Sequence, residues 1–418
     1  MNRSKKIIFS LTKRLHLDIK YFLKGSIFAF LQQIVGITCG LSITYLFGHF
    51  VTKKVFGEYN LILSILGMIT FLSLPGLDFA LIQSIAHGYD KSFNQSMIQK
   101  FKFSFLGIPI LLGFSFYYFS FRQNSIALSL LIASSFFPFL NAFSNFPAFL
   151  TAKKKFLDLA LISGFSSIFY FLIILASFRW QSNTVGITVG YLLALIIPSL
   201  IGFNYSKRYI NKKSRIDRDL PKYGEFITFL SILPWISGNL GNFLLGNAIG
   251  VEQLALMAVA SRFLTAVQKN FGVFYKPITA RLAEQTSTQH LETIFKHSIK
   301  LLLIGCLLCL TLWITTPFLI NSFFNKNYTQ AIIYGQWLSL TLIPFPLTLA
   351  YTDMVIYQKL KKPQLIMSFV PNIGKLILFI FVIPRFGIIG LIFIILLERF
   401  VEPVIPLVSL LNIYRKNQ

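Results

Sequence analysis

Long apolar runs, separated by short basic segments, organise the whole chain. A bilayer hydrocarbon core about 30 Å thick is crossed by about 20 helical residues. Nine runs reach that length, near enough, without a single Asp, Glu, Lys or Arg: 25–47, 59–77, 103–121, 123–152, 159–178, 180–206, 226–251, 301–325 and 327–352. Three more are apolar but interrupted by charge, at about 253–274, 364–384 and 386–411. Inside lipid a backbone must satisfy its own hydrogen bonds, so runs of this length predict helices. The pattern predicts an all-α integral membrane protein with about twelve transmembrane helices.

Composition agrees. Of the 418 residues 55% are hydrophobic and 13% charged, where a soluble domain carries about 25% charge. The formal net charge of +25 would by itself suggest a nucleic-acid partner. Its distribution points elsewhere. Of the 39 Lys and Arg, 29 fall in alternate segments on the side of the amino terminus, 6 in the opposite loops and four inside spans. That is the positive-inside pattern, with both termini cytoplasmic and no nucleic-acid role. The first 24 residues hold seven Lys or Arg and no long apolar core, so they read as a basic cytoplasmic leader with no cleavable signal. Cys39, Cys306 and Cys309 all lie within apolar runs, where they read as packing residues and not as a disulfide or metal framework.

The most polar stretch, 204–222, divides the spans six and six. The layout expected is a basic leader (1–24), an N-terminal six-helix bundle (25–206), a basic cytoplasmic linker (207–222) and a C-terminal six-helix bundle with a short cytoplasmic tail (223–418). The halves echo each other. Gly25-x4-Phe30-Leu31 opens the first span and Gly224-x4-Phe229-Leu230 the seventh, and Gly186-Ile187 and Gly387-Ile388 open the sixth and twelfth. Two six-helix bundles of the same orientation predict a pseudo-two-fold axis along the membrane normal, a layout that places a transport site at the repeat interface.

Several short motifs recur in order along the chain. They are Lys24-Gly25-Ser26, Phe56-Gly57-Glu58-Tyr59, the break Leu74-Pro75-Gly76-Leu77-Asp78, Ala258-x-Ala260-Ser261-Arg262-Phe263 with Pro277 beyond it, and Ile383-Pro384-Arg385-Phe386-Gly387. On these residues, from about 22 to 415, the chain resembles the polysaccharide and O-antigen flippases of the multidrug/oligosaccharidyl-lipid/polysaccharide (MOP) exporter superfamily. Gln83 stands where members of that family often carry a basic residue. The first span offers Gln32 and Gln33 where the lipid II flippases carry an Arg-Asp pair, which favours an oligosaccharide precursor over lipid II. The resemblance implies a flippase, not an enzyme. It would move a polyprenyl-pyrophosphate-linked oligosaccharide (O-antigen, capsule or similar repeat unit) across the bacterial inner membrane by alternating access. The partners it implies are the lipid-linked oligosaccharide, membrane lipids and a downstream polymerase or ligase.

Charge inside a span is expensive, so it marks a cavity or a partner. Four cations interrupt the second half: Arg262, Lys269, Lys375 and Arg399. As a cationic cavity they would hold a pyrophosphate, Arg262 by a bidentate grip. Structural alternatives stand beside that role: a salt bridge from Arg262 to Asp78 or Glu398, snorkelling of Lys269, and a local pair between Arg399 and Glu398 or Glu402. Lys375 has no acid in its own predicted helix. Asp78, Glu225 and Asp353 are the candidates for coupling to Na⁺ or H⁺, and Gln32, Gln33, Asn239 and Asn242 for contacts with sugar hydroxyls. No catalytic constellation, nucleotide motif, metal set or cofactor motif is expected. The competing functions are a multidrug-extrusion-type cation antiporter and a membrane glycan polymerase or ligase.

Overall fold

The computed structural model describes residues 19–282, 287–357 and 360–416, with side chains at 28 and 360 and over 30–272, 298–356 and 362–411. Residues 1–18 of the leader lie outside the described residues, as do the side chains of Lys24, Ser26 and Pro277. Everything described is helix or connection. In chain order the α-helices are α1 (Ile19–Phe50), α2 (Lys53–Ile69), α3 (Gly76–Ala86), α4 (Ser92–Ser104), α5 (Gly107–Ser120), α6 (Asn124–Ala142), α7 (Phe146–Ala152) and α8 (Phe156–Trp180). They continue with α9 (Thr184–Ser206), α10 (Leu220–Ala248), α11 (Val251–Leu282), α12 (Ser287–Phe323), α13 (Ala331–Ser339), α14 (Phe345–Tyr357), α15 (Lys361–Val401) and α16 (Val404–Lys416).

Among the described residues nine helices are long and apolar enough to cross a membrane. The pair Ala331–Leu342 and Phe345–Ile356, bent by 43°, makes ten when counted as one broken span. One of the nine, 362–411, is 50 residues long, or about 75 Å if straight. It is not straight. Gly387 has φ 57° and ψ −134°, and Lys375 reaches Glu398 at 2.6 Å although 23 residues separate them. In one continuous helix those residues would lie about 34 Å apart. The chain therefore folds back at Gly387 and crosses twice. With α11, whose charges lower its hydropathy, the count comes to about twelve.

Several spans begin or break away from the predicted ends. The third starts at Ser92 with the polar α4, eleven residues earlier than its apolar run. The second breaks after Thr70–Ser73, where Leu74 takes φ 51°. The fourth and tenth, at matching places in the two sets of six, break at 143–145 and 343–344.

Hydroxyl side chains within the spans mostly turn back on their own helix. Ser64, Ser104, Thr188 and Thr316 each donate to the carbonyl four residues earlier at 2.6–2.8 Å. In this way a polar group is carried through lipid without an orphan donor. The outward faces are apolar, with Phe116, Phe119, Trp180, Ile299 and Phe318 all exposed, as lipid requires and water would not tolerate.

The chain divides into two compact units. The first comprises residues 1–46 and 72–228. Its core gathers Leu77, Leu81, Phe93, Phe149, Phe203 and Leu220, with the Phe93 ring 4.4 Å from Phe149 and 4.7 Å from Phe203. Truncating such a buried aromatic costs about 3–5 kcal/mol. Gly76 and Gly224 pack so closely that a Cβ on Gly76 would stand 2.3 Å from the Gly224 carbonyl oxygen, and the Gly76 amide donates to Thr228 Oγ1 at 3.1 Å.

The second unit comprises 47–71 and 229–418. Residues 47–71, expected in the N-terminal bundle, make their contacts here instead. The reason is visible at Gly57: a Cβ there would lie 1.9 Å from the Val251 carbonyl oxygen, so only glycine lets α2 meet the start of α11. Around it, Phe47, Phe56, Tyr59, Phe324 and Tyr328 form an aromatic cluster. The Phe56-Gly57-Glu58-Tyr59 motif is thus a packing device in this structure.

Candidate functional site

Within the second unit, α11 presents two contrasting faces. Leu254, Ala255, Leu256, Val259, Ala260, Phe263 and Leu264 are buried, and the hydroxyl of Thr265 turns back to the Ser261 carbonyl. Arg262, Thr265, Ala266 and Lys269 share the exposed face. Arg262 lies about 16 Å along the helix from Val251, near half the thickness of a hydrocarbon core, and Lys269 about 10 Å further. A guanidinium at that depth on an exposed face demands a polar environment, because hydrocarbon would charge several kcal/mol for it. Beside this face α11 and α12 enclose a largely apolar crevice of about 420 Å³, lined by Phe263, Val267, Phe271, Leu308, Leu312 and Leu319.

The other two cations of the predicted cavity have acidic neighbours. Lys375 Nζ donates to Glu398 Oε1 at 2.6 Å, with both side chains mostly buried. Arg399 donates to Glu402 at 2.8 Å, three residues on at the C-cap of α15. The expectation that Lys375 lacks an acid in its own helix holds only up to Gly387. Its partner sits on the returning span. The pairing of Arg399 with Glu402 matches the local alternative.

Among the acids, Asp78 occupies the first turn of α3, just after the Pro75–Gly76 break. Both of its oxygens accept from Lys100 Nζ at 2.7 Å, and Lys100, 1% exposed, also donates to Ser144. An incoming cation at Asp78 would have to displace that ammonium or act through it. Glu398 is likewise engaged with Lys375, so both acids considered as partners for Arg262 have other cations beside them. Glu225 is exposed and Asp353 half-buried.

Of the amides, Gln32 and Gln33 are half-buried on α1, and Asn242 is half-buried on α10. Asn239 donates to the Trp235 carbonyl at 2.9 Å and lies where a Cβ on Gly67 would stand. Gln32 and Gln33 belong to the first unit and Asn239 and Asn242 to the second.

Four polar groupings escaped the sequence-based expectations. Lys100, counted there as a loop cation, is buried on α4 in a stripe with Ser92, Ser96 and Ser104. The four-residue spacing of that stripe is its sequence signal. Asp90, 1% exposed, accepts from Lys153 at 2.6 Å and from the Asn211 amide at 2.9 Å. Asp158 accepts from the hydroxyls of Tyr205 and Tyr209 at 2.6 and 2.8 Å. In the second unit, Ser237 donates to the Asn372 side chain in a buried hydrogen bond.

Comparison with known proteins adds a lineage. A family model described as polysaccharide biosynthesis protein matches residues 22–282. The fold is similar to a multidrug-resistance MATE family transporter of the MOP superfamily in its inward-facing conformation, with a TM-score of 0.67, 16% identity and coverage of 92% of this chain and 96% of that one. It is similar to the lipid II flippase MurJ in an inward closed conformation, with a TM-score of 0.69, 16% identity and coverage of 93% and 87%. A MOP superfamily transporter from Pyrococcus furiosus, described as having a binding pocket of reverse polarity, matches with a TM-score of 0.63, 14% identity and coverage of 93% and 95%. No curated protein matches.

Proposed function

We propose that this chain, which belongs to the polysaccharide biosynthesis protein family, is a flippase that moves a polyprenyl-pyrophosphate-linked oligosaccharide across the bacterial inner membrane by alternating access. The observation that carries the proposal is the α11 face. Arg262 and Lys269 put two cations about 10 Å apart on the exposed side of a helix otherwise built for burial. A pyrophosphate is a dianion or more at neutral pH, and guanidinium grips phosphate oxygens in bidentate fashion. The apolar crevice beside the same helix suits the isoprenoid tail of such a substrate.

In this reading both termini are cytoplasmic, as the charge bias of the loops favours. The O-antigen, capsule or similar repeat unit enters from that side, and a downstream polymerase or ligase consumes it outside. Lys375 and Arg399 serve the cavity together with their acids Glu398 and Glu402, as paired charges. Asp78, Glu225 and Asp353 stay as coupling candidates for Na⁺ or H⁺, with the Lys100 ammonium as the internal competitor at Asp78. Gln32, Gln33, Asn239 and Asn242 supply hydrogen bonds for sugar hydroxyls.

A second reading, a cation antiporter of the multidrug-extrusion type, is favoured by the fold similarity to MATE transporters. The sign of the α11 face argues against it, since a cationic drug would meet like charge. Deleting the gene decides between them in cells. Accumulation of the lipid-linked glycan on the inner leaflet supports flipping, whereas normal surface polymer together with drug hypersensitivity supports the antiporter.

A further inference from the structure

α4 is polar on two sides, which is unusual for a helix that starts a span. One side is the buried stripe of Ser92, Ser96, Lys100 and Ser104. The other steps one turn at a time from Lys91 through Gln95 and Gln99 to Lys102, and lines a pocket of about 690 Å³. The opposite wall comes from 207–216. Both walls belong to the first unit. Small-ligand sites fall in the range of about 300–1,000 Å³.

Lys91, Lys102, Lys207 and Lys212 line this pocket, and no acid does. Of the acids close by in sequence, Asp90 is engaged by Lys153 and the Asn211 amide, Asp217 accepts from the Ser84 hydroxyl at 2.5 Å, and Asp219 is exposed outside the lining. Lys207 already donates to Asn204 and lies over the Phe203 ring. Lys91, Lys102 and Lys212 are exposed and form no ion pair among the described residues. On the same wall, the side-chain oxygens of Asn94, Gln95 and Gln99 are buried without a hydrogen-bond partner. Unpartnered buried polar atoms cost free energy that a polar ligand recovers. Ile98, Ile210 and Ile216 supply the apolar part of the lining.

Concentrated positive charge, unmatched amides and a few exposed isoleucines together describe one chemistry. We propose that this pocket binds the phosphate-bearing head of an anionic amphiphile: lysine ammonium groups meet the phosphate, the amides meet head-group hydroxyls, and the isoleucines meet the start of the chain. Two sources share the phosphate and the apolar chain, a resident anionic phospholipid and an isoprenoid diphosphate; of the two, a glycerol head group also carries hydroxyls for the amides. The pocket belongs to the first unit and α11 to the second, and its occupancy does not depend on the transport reading.

The test is equilibrium binding to the purified full-length protein in a nonionic detergent, which reads no transport. The probes are farnesyl diphosphate, short-chain phosphatidylglycerol, short-chain phosphatidylcholine and inorganic diphosphate. The lining variant is Lys91→Gln/Lys102→Gln/Lys212→Gln. A charge-matched control, Lys213→Gln/Arg218→Gln/Lys222→Gln, removes three cations from the same linker region without touching the pocket. With each lysine near an anionic surface worth about 1 kcal/mol, the lining variant should bind an anionic amphiphile about ten- to a hundredfold more weakly, with the control within about twofold of wild type. Tighter binding of farnesyl diphosphate identifies the isoprenoid source, and tighter binding of phosphatidylglycerol the resident lipid. Equal losses in both variants, no loss in either, or equal affinity for phosphatidylcholine would overturn the proposal. If the triple variant does not fold, Lys102→Gln alone carries the same comparison, with a several-fold loss expected and none overturning it.

Discussion

The Asp78–Lys100 pair gives the most quantitative prediction. Lys100 is buried, with its side chain 2% exposed and that of Asp78 32% exposed. Breaking a buried pair by removing one partner typically costs about 3–5 kcal/mol, because the remaining charge is left without compensation. The two single changes should therefore differ. Asp78→Asn strands a fully buried ammonium and should fall in the upper part of that range. Lys100→Met strands a carboxylate that water can partly reach and fills the space with an apolar chain, so it should fall near or below about 3 kcal/mol. The double change Asp78→Asn/Lys100→Met removes both charges and should recover most of the loss, giving a strongly non-additive cycle. The assay is thermal unfolding of the detergent-solubilised protein, followed by retention of a monodisperse peak after heating. Additive single effects, or Lys100→Met worse than Asp78→Asn, would refute the geometry and the burial argument together.

Three further outcomes follow from the packing and the charges. Gly57→Leu drives a side chain into the Val251 carbonyl and should abolish recovery of folded protein, with Gly57→Ala severely reduced; normal yield of Gly57→Leu would contradict the close contact of α2 with α11. The exchange Lys375→Glu/Glu398→Lys preserves the pair and should retain stability that Lys375→Ala loses, and comparing flipping by the two variants tells whether the cation itself must sit at 375. Tyr328 carries a buried hydroxyl without a hydrogen-bond partner, and burial, reinforced by Glu252, pushes its pKa up to about 12. Tyr328→Phe should leave stability unchanged or raise it by about 1 kcal/mol, and stability near that residue should not titrate below pH 10; a large loss in Tyr328→Phe would reveal a partner for the hydroxyl.

The span count was legible because lipid enforces a simple rule of length and apolarity, and the basic turns marked most of the ends. What lay hidden depends on groups far apart in sequence. The third span begins with the polar α4, so hydropathy alone started it late, although the four-residue spacing of Ser92, Ser96, Lys100 and Ser104 carries the signal. The breaks at 143–145 and 343–344 lie inside apolar runs, where Pro147 hints at the first and Pro344 and Pro346 at the second. Lys375 and Glu398 stand twelve residues before and eleven after Gly387, so their pairing follows once that glycine is recognised as a reversal of the chain. The assignment of 47–71 to the second unit follows from Gly57 meeting Val251, a contact across nearly 200 residues that no local pattern announces. Of the four cations singled out in the second half, Arg262 and Lys269 share an exposed face of α11, while Lys375 pairs with Glu398 and Arg399 with Glu402.

The central claim is that the cations on α11 carry a lipid-linked anion across the membrane. The direct measurement reconstitutes the purified protein into liposomes with a fluorescent polyprenyl-diphosphate-linked oligosaccharide and follows the label between leaflets by its accessibility to a membrane-impermeant quencher. The account predicts movement well above that in protein-free liposomes, reduced at least about tenfold in folded Arg262→Ala, the loss of one charge-assisted contact of about 1.5–3 kcal/mol. Movement no faster than in protein-free liposomes, or an Arg262→Ala variant as fast as wild type, would contradict it.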